Sequence, residues 1–401
     1  MKQSELHWIA LSPNVFVDYT EGKILLYNTR NYKCITSTDT RLINLIREFY
    51  RPENLGVLSL DEFEKMTSND VRVANNMNMF VSVKNSTKPL NFLPILNLQH
   101  DLTKNMSGGL KEIKGKLSLL SSLFIQINYG YADSKVSFYR NLTSKQYATP
   151  CFSEEKTTLR VDFVEQILKE ACLSSIHNVH IIIGSPMINI MEYIRIFERY
   201  NFQYYLHIYS DIVYEFLSHI SDYSSVSKIN FVVFCDRYSN PNIAQRLIKE
   251  SKDCGNFEFI NLIDEVDRLL SCSSSAMKML PVWTENNFDF FLKEVFIGIE
   301  DIEASELTLS DLFCNQKLNR NFFGILQINP DETIAAFLDG KNTRYSGTNI
   351  LNQAVVSELI NNTRWRVTRN MTSCRTCPYK YLCPPVTALE LNFKLDKICK
   401  L

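Results

Sequence analysis

No stretch of the sequence approaches the roughly 20 consecutive apolar residues that span a bilayer, which argues against helical membrane insertion. The first residues, MKQSELHWIALSPNVFVDY, have neither the apolar block nor the small-residue cleavage site of a secretory signal. An excess of one charge is missing too. Lys and Arg total 43 and Asp and Glu 44, a formal charge of -1, so no global basic surface favours nucleic acid or anionic lipid. There is no internal repeat, low-complexity tract, Gly-rich phosphate loop, Ser/His/Asp grouping or paired-carboxylate motif. Nothing therefore points to independent kinase, hydrolase or glycosidase chemistry. These absences together read as a soluble cytoplasmic protein.

What is present is a chain of 401 residues, 45% hydrophobic, long enough for two or three domains with cores of their own. Residues 1–85 open with strand-like runs at Asn14 to Asp18, Lys23 to Tyr27 and Tyr32 to Thr36. A Glu21-Gly22 turn joins the first two, so a three-stranded meander is expected. Ser37 or Thr38 can cap a helix carrying Leu42, Ile46 and Phe49 at helical spacing, with Pro52 after it. Weaker helical patterns follow at Leu60 to Met66 and Asn69 to Phe80. The Lys88-Pro89 to Pro94 stretch reads as an extended linker, because proline disfavours helix in the residue before it.

From Leu123 the pattern alternates strand and amphipathic helix. The strands are Leu123 to Ile127, Val179 to Ile183, Tyr204 to Ile208, Ile229 to Phe234 and Phe257 to Ile260. The helices are Leu159 to Ala171, Ile190 to Tyr200, Ile212 to Ile220 and one opened by Asn240-Pro241 and running to Lys252. Such an array predicts an α/β fold, a parallel sheet closing as a barrel or partial barrel. The connection from Asn128 to Thr158 is far longer than the others, as functional or mobile loops are. Residues 307–401 change character, with short strands near Gly324 to Ile328 and Thr333 to Phe337 and then a cysteine-rich tail.

There are 11 cysteines, and without an export signal they argue for reduced thiols or metal ligands, not a disulfide framework. The tail reads SCRTCPYKYLCPP and ends DKICKL, placing Cys374, Cys377 and Cys383 at x2 and x5 spacing and Cys399 after a longer gap. Four thiolates suit a tetrahedral zinc or an iron-sulfur cube, and spacing alone does not choose between them. Cys172, Cys235, Cys254 and Cys272 lie in or beside apolar runs and read as small hydrophobes, while Cys34 and Cys151 carry no signal alone. His177 and His180 flank a strand start without a carboxylate or thiolate partner and read as structural. Gly108-Gly109 is an isolated pair, read as a turn.

A βα array followed by this tail resembles the radical S-adenosylmethionine (radical SAM) peptide maturases with a SPASM extension. More closely, LLYNTRN at Leu25 to Asn31, KPLNFLPILNLQHD at Lys88 to Asp101, ENNFDFF at Glu285 to Phe291 and CPYKYLCPP at Cys377 to Pro385 resemble the pseudo-radical-SAM proteins of Bacteroidales Gly-Gly-leader peptide systems. The resemblance implies a winged-helix, leader-binding-like domain over residues 1–85, a degenerate radical SAM partial barrel over 86–306 and a SPASM-like cysteine domain over 307–401. It also implies one [4Fe-4S] cluster, with zinc the alternative, on Cys374, Cys377, Cys383 and Cys399. A leader segment would add as a strand along Tyr32, Lys33, Cys34 and Ile35, beside a groove lined by Val71, Ala74 and Asn78.

The departures from the family bear most on activity. The Asn128 to Thr158 loop, where the family carries a Cys-x3-Cys-x2-Cys motif, holds only Cys151. One thiolate cannot hold a cube. The Gly-Gly-Glu-Pro segment appears as Ile183-Gly184-Ser185-Pro186 without its acidic residue, so SAM binding is not expected. Cys314 matches a first auxiliary-cluster cysteine, but apolar Phe337 and Thr387 stand where its partners belong. The implied function is non-catalytic: binding a precursor peptide with a Gly-Gly leader, an active radical SAM maturase, or both. An iron-sulfur electron-transfer partner, or an enzyme working without SAM, is the alternative.

Overall fold

The computed structural model describes residues 6–93, 96, 116–187, 189–219, 229–240, 246, 256–266 and 277–401. Gly108-Gly109, Cys254, Cys272 and most of the 241–252 helix lie outside them.

The expected meander is present as β2 (Val15–Thr20), β3 (Lys23–Asn28) and β4 (Cys34–Ser37), paired antiparallel in the order β2-β3-β4. Glu21 and Gly22 both have positive φ, the two-residue turn whose twist matches a hairpin. Tyr32, expected in the third strand, instead has φ 59 and belongs with Lys33 to the turn before it. A second sheet went unread in the sequence: β1 (Leu6–Leu11) pairs with both β5 (Val57–Ser59) and β6 (Phe80–Asn85). The third helix accordingly stops at Asn76, where Met77 caps it, instead of reaching Phe80.

Three helices cover these sheets. In α1 (Thr40–Phe49) the N-cap is Asp39, whose carboxylate accepts from Arg41 N, and Leu42, Leu45, Ile46 and Phe49 form a fully buried stripe. Helix α2 (Leu60–Lys65) opens with a Ser59/Glu62 capping box, and α3 (Asn69–Asn76) with Ser68. The meander buries both faces: Val15, Val17, Ile24 and Leu26 join the helices in one core, while Phe16, Leu25 and Tyr27 point into another shared with the C-terminal segment.

The remaining strands form one nine-stranded open sheet, β12-β11-β10-β9-β8-β7-β13-β14-β15. The strands are β7 (Ser122–Asn128), β8 (Asn178–Ile183), β9 (Gln203–Tyr209), β10 (Ile229–Cys235), β11 (Asn256–Ile263) and β12 (Met277–Pro281). These six are parallel in sequence order, as βα units require, and β13 (Ile325–Ile328) adds parallel to β7. β14 (Thr333–Ala336) and β15 (Thr343–Arg344) complete that end antiparallel. The C-terminal segment thus begins as a continuation of the main sheet.

One face of the sheet packs on α5 (Val161–Ala171), α6 (Ile190–Arg199) and α7 (Val213–Ser218), numbered after α4 (Ser134–Ser144). Helix α4 lies inside the long loop between Asn128 and Thr158 and was not legible in the sequence. It packs with Phe152 on the opposite face, against Tyr209, Val232, Phe234, Ile260 and Leu262. The C-terminal segment adds α8 (Leu309–Lys317), α9 (Ile350–Asn361) and α10 (Ala388–Phe393). No helix among the described residues is long and apolar enough to cross a membrane.

Candidate metal centre

The four tail cysteines occupy irregular backbone stapled from several directions. A 3-10 turn, Ser373–Thr376, carries Cys374, with Thr372 accepting from Cys374 N and Cys377 N closing onto Cys374 O at 2.9 Å. Cys383 N donates to Tyr379 O at 3.0 Å, tightening the loop between Cys377 and Cys383. The chain end returns through Ile297: Ile297 N donates to Ile398 O at 3.1 Å and Lys400 N to Ile297 O at 3.0 Å. Ser373 Oγ donates to Asp396 O, bringing the Cys399 strand to the Cys374 turn.

All four thiols are free. Burial pushes the Cys383 thiol up to about 12; Arg369 opposes the shift, and the charges of Cys377, Cys399 and Cys374 add to it. Cys377 is also raised, first by burial, while the Tyr379 backbone N–H that bonds its sulfur pulls the other way and Cys374 and Cys399 raise it further. The four sulfurs therefore share one electrostatic neighbourhood, in which Lys380 favours the Cys377 thiolate and Arg369 that of Cys383. Burial alone would lower this guanidinium, but Glu390, bound at 2.8 Å, raises it together with Cys383 and Cys374. Its Nη1 lies 3.6 Å from Cys374 Sγ and its Nε donates to Pro384 O.

Among the described residues no group of three or more His, Cys, Asp or Glu side chains is drawn together tightly enough to hold a metal ion. The donor chemistry nevertheless fits one. The set is all sulfur, and a Tyr379 N–H aimed at one sulfur and a buried cation beside the ligand turn partly offset the cost that burial puts on the thiolates. Because burial raises the Cys377 and Cys383 thiols and a metal must displace their protons, loading should strengthen with pH. Between about pH 6 and pH 8 the apparent zinc affinity, measured against a chromogenic chelator, is expected to rise at least about 100-fold, one net proton per ion. A flat profile would contradict thiolate ligation.

The other sequence candidates separate clearly. Thr387, standing where the family has a further cysteine, caps α10 in a box with Glu390 and so holds Arg369's partner. Phe337 stacks on Phe124 at 4.2 Å. Cys235 is buried as expected, but Cys172 is exposed at the end of α5, where the chain turns outward. His180 pairs with His207, not with His177: His207 Nδ1–H donates to Ala148 O, which leaves its Nε2 to accept from His180 Nδ1–H at 2.9 Å. Burial depresses both, to about 4 for His180 and about 3 for His207, so the pair is neutral.

The C-terminal ends of the parallel strands, where ligands bind in such sheets, are partly filled by the chain itself. Arg140 on α4 bonds Asp236 at 2.8 Å and Asp211 at 3.1 Å, and lies 3.9 Å over the Tyr209 ring. Gln146 exchanges two hydrogen bonds with the backbone of Trp283. A Cβ on Gly184 would come within 2.1 Å of Gly130 N, so that strand end accepts no side chain. Burial raises the Cys151 thiol, and a bond to Ser144 opposes the shift. Beside this plug a cleft of about 940 Å³ remains, lined by Lys135, Tyr139, Arg237, Asp264, Asn287 and Phe290 among others.

At the N-terminal domain, Val71 and Ala74 are fully buried in the core with Ile9, Leu42 and Phe49 and cannot line a groove. Asp70 of α3 and its C-cap Met77 are tied to β4 and to the turn before it, and Val73 shares their helical row. Ser37 Oγ donates to Asp70 at 2.5 Å, and Asn31 Nδ2 to Met77 O. Asn78 is exposed beyond the helix, with φ 59, its carbonyl accepting from Asn28 Nδ2. Among the described residues no strand pairs with the outer edge of β4. The register decides which groups that edge presents. Asn28 N donates to Lys33 O, so the antiparallel pairs 28/33, 26/35 and 24/37 are the hydrogen-bonded ones. The backbone N–H and C=O of Cys34 and Thr36 therefore point outward.

No family model matches the chain, and a search of curated proteins found no match. Among solved structures, Streptococcus suis SuiB bound to precursor peptide SuiA aligns over 98% of this chain and 100% of its own, at 14% identity and a TM-score of 0.46. SuiB bound to S-adenosylmethionine aligns over the same shares at 13% and 0.46, and a further structure of SuiB at 12% and 0.39. Likeness at this level leaves function to be argued from the chain's own residues.

Proposed function

We propose that this chain is a non-catalytic accessory protein of ribosomally synthesised, post-translationally modified peptide (RiPP) biosynthesis. It binds a precursor peptide with a Gly-Gly leader and presents it to an active radical SAM maturase. The observation that carries the reading is the edge of β4, unpaired among the described residues, with two outward-facing residues and the α3 stripe alongside, the requirements for strand addition. The leader strand would bond Cys34 and Thr36 through its backbone, with Ile35, Val73 and Met77 offering apolar contact and Asp70 a charge. In the family's terms residues 1–85 are the winged-helix recognition element, 86–306 the degenerate barrel and 307–401 the SPASM-like domain. Lack of catalysis is supported by the Arg140 plug and the single cysteine of its loop.

Strand addition has a sharp test. Proline at position 34 removes an outward N–H without touching the β3 ladder, so Cys34→Pro is expected to weaken binding of a fluorescent leader peptide at least about tenfold. Cys34→Ala, which changes only the side chain, should bind as the native chain does; equal binding by the proline variant would sink the reading. For the tail, the family resemblance favours one [4Fe-4S] cluster on Cys374, Cys377, Cys383 and Cys399 over zinc. Anaerobically purified protein should contain iron and sulfide and absorb broadly in the visible; one zinc per chain and no iron would decide against the cluster. SAM cleavage by the isolated, reduced protein would overturn the non-catalytic assignment.

A further inference from the structure

The segment between Cys377 and Cys383 has a second set of contacts unrelated to metal. Its residues Tyr379, Lys380, Tyr381 and Leu382 are all buried, in a core shared between Phe16, Leu25 and Tyr27 of the N-terminal meander and the 297–313 segment, which supplies Ile302 and Leu312. Lys380 Nζ, inside the protein, bonds Asp18 Oδ2 at 2.7 Å and Thr20 Oγ1, both on β2. Tyr381 meets Phe16 of β2 edge-on at 6.1 Å, and its carbonyl is held by Asn315 of α8. Tyr379 OH donates to Glu303 at 2.9 Å, so its oxygen accepts from Thr36 Oγ1 on β4. Cys377 and Cys383 themselves border this shared core, as does Cys34.

We propose that the cysteine centre is the lock of the peptide-binding domain: occupancy at Cys377 and Cys383 fixes the loop that seats β2 and β4 on the rest of the chain. The inference rests on the reading of the four cysteines as a metal centre and deepens that of β4 as the recognition edge. The physical reason is loop closure. Two ligand bonds at the ends of a five-residue loop remove most of its freedom, so Lys380 and Tyr379 reach Asp18 and Thr36 at little further entropic cost. Without the ligand bonds, the loop must be ordered by those contacts alone. Lys380 sits at the loop's centre, where its charge is matched by Asp18 across the interface.

The test compares full-length protein loaded anaerobically with iron and sulfide, loaded with zinc, and stripped by chelator, with metal counted per chain in each. Amide hydrogen exchange is followed in Phe16 to Thr20 and Cys34 to Ser37, with β8 to β10 as internal reference. Loading is expected to slow exchange in the first two segments about tenfold or more and to leave the reference unchanged. Equal exchange in loaded and stripped protein, with metal bound, overturns the lock while leaving the metal reading intact. Failure to bind metal overturns both. Lys380→Met should retain full metal content yet lose the difference in exchange; Tyr379→Phe, a milder change, should lose part of it. Retention of the whole difference in both variants overturns the proposal.

Discussion

Replacing Cys383 by serine is expected to empty the C-terminal centre. Of the four thiols it is the most enclosed, and the serine oxygen is a poor replacement where soft sulfur donors select the metal. Metal content should fall below about a tenth of the native value, because four-ligand sites draw on the order of 10 kcal/mol from metal binding and lose much of it with one ligand. Cys374→Ser, Cys377→Ser and Cys399→Ser should follow, whereas Cys172→Ser, on the exposed end of α5, should leave metal content unchanged. Full occupancy in the Cys399→Ser variant would show that the centre uses three cysteines and an outside ligand. The loss should be read by elemental analysis and not by activity, since the proposed role is to hold structure or relay electrons.

The second large effect is expected at Arg140. Its guanidinium is almost wholly buried, between an Asp236 carboxylate with no exposure and the Tyr209 ring. Burial alone would lower its pKa, but Asp236, and after it Asp211, raise it, so it is charged at any ordinary pH. Arg140→Met leaves the buried Asp236 carboxylate without its ion-pair partner, which costs about 3–5 kcal/mol. The urea midpoint of the unfolding transition should fall accordingly. Pairing Arg140→Met with Asp236→Asn should recover a large part of the loss, since the orphaned charge is gone. A single variant as stable as the native chain would mean that the 134–144 helix is not anchored at the strand ends, and the plugged mouth would lose its support.

The parts of the fold that came through in the sequence are those with local signals. The Glu21-Gly22 turn, the buried stripe of α1 and the strands β7 to β11 each announce themselves by period or by turn chemistry. Those that did not come through depend on distant partners. LHWIAL has no clean alternation and becomes a strand because β5 and β6 lie on either side of it. Met277–Pro281 is a half-exposed edge strand that, among the described residues, pairs only with β11. Helix α4 is weakly amphipathic in sequence and is held by Asp133 at its N-terminus and by Arg140 at the strand ends.

The recognition edge shows the same division. The sequence supplied Cys34 and Ile35 of β4 and the neighbouring helix, but Val71 and Ala74 turned out to be core. A helix pattern gives spacing without phase, so it cannot say which stripe faces a groove and which faces the interior. Asp70, Val73 and Met77 could be picked out only once Ser37 and Asn31 had fixed the helix against β4.

The four cysteines, their spacing, the missing cluster motif after β7 and the lost acidic residue beside Gly184 were all set by the sequence alone, because ligand chemistry is a property of residue type. That the loop between two of those cysteines also seats the N-terminal sheet was decided only by tertiary structure. Lys380 and Asp18 stand 362 positions apart in the chain, and no local periodicity encodes a buried charge pair across such a distance.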